Sequence, residues 1–202
     1  MSANEHWEQL LTPAIMQEKL ISASLYVTGF ELLKDSIIGR IRTFYMDDFD
    51  MIGDSVDEKY EATVLSRNKS VLYASLDWLA ENGVIDENDL QVFERIKTTR
   101  NSLAHELPSL VMGSADFKHI ERFEELVTLL RKIEIWWVVN FEIPINSDFD
   151  GKEIDEEGIV PGPVLMIQMM LEVLSGNEEL LKLYREGTPK RGEVCNPVTH
   201  AL

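Results

Sequence analysis

The chain has 202 residues, 45% hydrophobic and 27% charged, enough apolar material for one medium domain with a sizeable core, or one domain plus an appendage, and too much for a disordered segment. Its 19 basic and 36 acidic side chains give a net charge of −17, which excludes a broad, sticky DNA-binding surface because such binding is driven by lysine and arginine releasing counterions. A narrow site that recruits a few local arginines is all that this field permits for nucleic acid. The single Cys195 cannot close an internal disulfide, and Glu5 and Glu8 interrupt any secretory leader pattern. The most apolar stretch, Ile159 to Leu174, is broken by Pro161, Gly162, Pro163, Gln168 and Glu172, so no membrane span is expected. The default expectation is a soluble, cytoplasmic protein.

In chain order, residues 14 to about 46 predict a long helix, with Phe30, Leu33, Ile37, Ile41 and Phe44 recurring every three or four positions and Gly29 marking a bend or a close helix contact. Met46 to Asp50, with Gly53 and Asp54, predicts the exit loop. Shorter helices are expected over about 55–65 and 69–82, the latter with Leu72, Leu76 and Leu79 inward and Asn82-Gly83 as its stop. Asp86, followed by Glu87 and Asp89, is the expected N-cap of a helix running to about Leu107, ended by Pro108. A helix over about 116–141 places Ile120, Phe123, Leu126, Leu130, Ile133 and Trp137 inward, with Pro144 as its limit. A last pair, about 164–174 and 178–185, precedes a tail expected to be irregular. No segment has a strand period. The expectation is an all-α, up-and-down bundle over residues 1–145, with residues 146–202 forming an acidic loop, short helices and a tail.

The segment Arg100-Asn101-Ser102-Leu103-Ala104-His105 carries the chemistry. Phe93, Ile96, Leu103, Ala104 and Leu107 form one apolar stripe, and Arg100 falls in its middle, where a permanent charge is costly unless it is paired or lines a wet cleft. Asn101 and His105 are four apart and share a face with Lys97, whereas Arg100 stands about 140° from His105 around an ideal helix. These groups suit RNA cleavage without metal. A ribose 2′-hydroxyl lies beside the scissile phosphate, His105 is of the residue type best suited to move protons, Arg100 offers a donor fork to phosphate oxygens, and Asn101 can position imidazole or ribose. One histidine cannot easily be both base and acid in one turnover. Two copies related by a two-fold axis would supply two His105, two Arg100 and two Asn101, so a homodimer with RNA as substrate is expected. The structural alternative pairs Arg100 with a buried carboxylate of another helix and leaves His105 to cap its own helix end.

The stretch Ile96 to Glu106 resembles the signature of the HEPN superfamily (higher eukaryote and prokaryote nucleotide-binding): an arginine, a polar residue, three or so further residues and a histidine at the end of a bundle helix. Arg100, Asn101 and His105 match it specifically, and over residues 14 to 141 the likeness is a helix pattern. The resemblance implies an all-α dimer, a metal-independent endoribonuclease with Arg100 and His105 catalytic and Asn101 supporting, and a role in toxin and antitoxin or antiviral systems. One branch carries a tyrosine two residues after the histidine as a modification site, and here Leu107 stands in that place. The helical pattern through Gly83 is also similar to the mannitol operon repressor family, which implies a noncatalytic regulator or interaction module with a basic protein partner.

Other signals are weaker. Asn146-Ser147-Asp148-Phe149-Asp150-Gly151 with Glu157 has the ligand spacing of a calcium loop, although Pro144, Glu153, Gly158, Pro161 and Pro163 do not suit its flanks, and an acidic surface turn is the favoured meaning. Trp136, Trp137, Met166, Met169 and Met170 are expected in a core. His6, His119 and His200 have no metal-ligand spacing, and no phosphate-cradling glycine loop occurs, so neither metal nor cofactor is expected.

Overall fold

The computed structural model describes Trp7 and residues 11–46, 58–111 and 119–187. The expected exit loop with Gly53 and Asp54, the first residues of the helices expected at 55 and 116, and the tail with Cys195 lie outside them. Among the described residues the chain is all α, with helices α1 (Pro13–Tyr45), α2 (Glu58–Thr63), α3 (Val71–Glu81), α4 (Glu87–Val111), α5 (His119–Trp137), α6 (Gly162–Leu174) and α7 (Glu179–Gly187), and no strand. It divides into two compact units, Met1–Val164 and Leu165–Leu202.

The first unit is built on α1. At 33 residues this helix is about 50 Å long, and it packs against α3, α4 and α5. Gly29 makes no bend; it is a point of close approach, where a Cβ would stand 3.1 Å from Cε2 of Phe123 and 3.2 Å from Cδ2 of Leu126. The core runs between the helices as Tyr26, Leu33, Ile37 and Ile41 from α1, Leu76 and Leu79 from α3, Phe93, Ile96 and Leu103 from α4, and Leu126, Leu130 and Ile133 from α5, all sealed from solvent. Polar bonds fix the register of these faces. The Tyr26 hydroxyl donates to the Ile96 carbonyl at 3.0 Å, Trp78 Nε1 donates to the Tyr45 hydroxyl at 3.1 Å, and His119 Nε2 meets Ser22 Oγ at 3.0 Å.

Local signals at the α3–α4 junction act as the sequence predicts. Gly83 takes φ +71°, and the N–H groups of Gly83 and Val84 return to the carbonyls of Ala80 and Leu79 at 3.1 and 2.9 Å, closing the end of α3. Asp86 and Asp89 then cap α4 reciprocally: the Asp89 N–H donates to Asp86 Oδ1 at 3.0 Å and the Asp86 N–H to Asp89 Oδ2 at 2.9 Å. The first of these bonds holds the Asp86 carboxyl below its ordinary range.

Several expectations are corrected. Near Pro108 the helical run does break as expected, with Glu106 out of helical geometry (φ −114°, ψ 16°), but a further helical stretch that the proline did not announce carries α4 past this kink to Val111. Ile120 faces outward, 69% exposed, and Ala104 is exposed as well. Trp137 belongs to the core, whereas Trp136 is half-buried and Phe44, on the apolar stripe of α1, is 47% exposed. Met166 and Met169 are not core; both stand about half exposed on α6 (51% and 46%). In the 146–157 segment, Asn146 and Asp155 accept from the Asp148 and Glu157 N–H groups, each at 3.0 Å, and so act as caps of single turns. No helix among the described residues is long and apolar enough to cross a membrane.

Candidate functional site

The chemistry-bearing segment occupies the second half of α4. Residues 95–105 contain Arg95, Lys97, Arg100 and His105 and no carboxylate, a basic stretch in a chain of net charge −17. The apolar stripe orients it: Phe93, Ile96 and Leu103 are buried, and this rotation turns Arg100 toward α1. There its Nη2 donates to Glu31 Oε1 at 3.1 Å and its guanidinium lies 5.5 Å from the centre of the Phe30 ring, which in turn stacks on Phe93 at 6.4 Å.

Arg100 therefore sits neither in a closed core nor free in solvent. A third of its side chain is exposed (33%), the Glu31 side chain is 47% exposed, and Arg100 Nε is buried without an acceptor among the described residues. An ion pair this open to water contributes about 0–1 kcal/mol, so an incoming phosphate oxygen competes with Glu31 for the guanidinium at small cost.

Asn101 and His105 are exposed on the solvent side of the helix. The helix bends one residue after His105, where Pro108 has no N–H to give the Ala104 carbonyl. Lys97, one turn before Asn101, is committed to a local network. Its ammonium donates to the Tyr73 hydroxyl, stands 4.5 Å from that ring's centre and lies 3.9 Å from Glu94, while the Tyr73 hydroxyl donates to Glu94 Oε1 at 2.5 Å. The Tyr73 bond holds the Lys97 ammonium above its ordinary range, against the opposing effect of partial burial.

Within one chain, then, Arg100 meets Glu31 and Phe30, whereas Asn101 and His105 face solvent. Periodicity marks the face on which Arg100 lies but carries no sign of Glu31, Phe30 or Tyr73 as its surroundings, because a partner on another helix is set by the packing register. Among the described residues no group of three or more histidine, cysteine, aspartate or glutamate side chains is disposed to hold a metal ion. No protein-family model, no curated protein and no solved structure matches the chain.

Proposed function

We propose that this protein cleaves RNA without a metal ion, at a composite site in which the α4 segments of two copies face each other. What supports this is the basic 95–105 segment, where Arg100, one third exposed and bonded to Glu31, with its Nε unused among the described residues, is followed by exposed Asn101 and His105. In the reaction, neutral His105 of one copy takes the proton of the ribose 2′-hydroxyl, the 2′-oxygen attacks phosphorus, and the bond to the 5′-oxygen breaks. The protonated His105 of the second copy gives its proton to that leaving oxygen. Arg100 leaves Glu31 to bind the phosphate oxygens as negative charge accumulates, and Asn101 orients the imidazole or the ribose. The products are a 2′,3′-cyclic phosphate and a 5′-hydroxyl. By the HEPN resemblance this activity belongs to a toxin or defence system, with an antitoxin-like companion as partner.

The test is cleavage of total RNA in excess chelator by the wild type, Arg100→Ala and His105→Ala. Loss of at least a hundredfold in both variants, with melting temperatures kept, is expected. Full cleavage by either folded variant overturns the proposal. A second reading is favoured by the contact of Arg100 with Glu31 and Phe30: the arginine joins α4 to α1 in a noncatalytic regulator whose acidic surface takes a basic protein partner. On that reading no preparation cleaves RNA and His105→Ala leaves partner binding unchanged.

A further inference from the structure

A second site lies between α1 and the end of α5, beginning at Asp35, four residues along α1 from Glu31, and independent of the RNA chemistry. After Trp137 the helix widens into a π turn, Val138–Glu142, a distortion that concentrates at functional sites because it redirects side chains. Here it brings Phe141 and Glu142, neighbours in sequence, to the same cavity of about 330 Å³, the size of a small-molecule pocket. Phe44, Trp137 and Phe141 form one wall, with ring centres 5.0 to 5.8 Å apart. Trp137 is 4% exposed, yet its indole N–H has no acceptor among the described residues.

The opposite side is acidic. Arg40 borders the cavity but its charge is spent: Nε and Nη2 donate to Glu134, which is wholly buried, at 3.3 and 2.5 Å, and Nη1 donates to Glu142 at 2.8 Å. Asp35 has no partner among the described residues. Its carboxylate occupies the space beside Gly39, where a Cβ would come within 2.6 Å of Oδ1, so the glycine is what lets that carboxylate lie along α1 at the cavity. Counting Asp35, Glu134 and Glu142 against Arg40, the site has an excess of two negative charges beside three aromatic rings.

We infer that this cavity binds a small organic cation, an ammonium group on a compact apolar body, with the charge toward Asp35 and Glu142 and the apolar part against Phe44, Trp137 and Phe141. The probe is choline, compared with its uncharged isostere 3,3-dimethyl-1-butanol at matched ionic strength, followed by the Trp137 indole N–H resonance of the full-length protein. Choline is expected to shift that resonance saturably, the isostere to bind about tenfold more weakly, and Asp35→Asn to weaken choline about tenfold while leaving the melting temperature unchanged. Gly39→Ala, which displaces the Asp35 carboxylate, is expected to reproduce the Asp35→Asn effect. An absent or non-saturable shift, equal binding of the isostere, or undiminished choline binding by folded Asp35→Asn overturns the inference.

Discussion

Tyr26 gives the packing of α1 on α4 a pH signature. Its ring is fully buried and its hydroxyl donates to the Ile96 carbonyl, so ionisation inside the protein would lose both solvation and a hydrogen bond. Burial is the leading cause that pushes its pKa up to about 12 from an ordinary 10, partly offset by a hydrogen bond from Thr99. Below pH 10 the phenol is neutral in both folded and unfolded chains and makes stability no function of pH. Between pH 10 and 12 only the unfolded chain loses the proton, which favours unfolding by about 1.4 kcal/mol per unit, roughly 2–3 kcal/mol in all once pH passes 12. Tyr26→Phe removes the hydroxyl and with it this dependence. At pH 8 the variant is expected to be about 1 kcal/mol less stable, for the lost hydrogen bond. The difference should shrink above pH 10 and change sign as pH approaches 12, because only the wild type is then losing stability through this group. Urea unfolding followed by circular dichroism from pH 8 to 12 measures it, and the other tyrosines cancel in the difference. A wild-type advantage that stays constant across this range would refute the reasoning.

Two further substitutions probe the same frame. Gly29→Val forces carbon atoms into the contact with Phe123 and Leu126 and is expected to cost about 2 kcal/mol in urea unfolding, as overpacking does; a neutral result would mean that α1 and α5 are not in close contact there. Arg40→Met leaves the Glu134 carboxylate buried without its bidentate partner and is expected to cost about 3 kcal/mol, the low end for a broken buried pair because the Arg40 side chain itself is 36% exposed; a loss under 1 kcal/mol would contradict the pairing.

What the sequence makes legible is what acts over a few residues. Asn82-Gly83 and Asp86 with Asp89 specify the α3–α4 junction because the atoms that satisfy one another lie within one turn. The apolar stripes of α1 and α4 likewise place Leu33, Ile37, Phe93 and Leu103 in the core. Pro108 is legible for an equally local reason: the helical run breaks at Glu106, two residues before it, and only the further stretch to Val111 beyond that kink carries no signal in the sequence. Periodicity also assigns Ile120, Ala104 and Met169 to inward faces, but a face is buried only where another element stands opposite, and that is fixed by tertiary packing.

The candidate sites divide along the same line. Arg100, Asn101 and His105 stand out as a contiguous polar group on a periodic helix. Their surroundings do not: Glu31 is 69 positions from Arg100, and Glu134 is 94 from Arg40. The α1–α5 cavity is less legible still, since its acidic side comes from Asp35 and Glu142, over a hundred positions apart, and its shape depends on a π turn that no residue pattern announces.

The chemistry of the RNA ends distinguishes attack by the ribose 2′-hydroxyl from every other route of cleavage. After incubation with the protein in excess chelator, the RNA fragments are recovered and treated with polynucleotide kinase, magnesium and γ-labelled ATP without prior dephosphorylation. Attack by the 2′-hydroxyl leaves 5′-hydroxyl ends, so the wild type is expected to yield strongly labelled new fragments and folded His105→Ala none. Fragments carrying 5′-phosphate, or labelled equally with and without His105, would contradict cleavage by the Arg100 and His105 site.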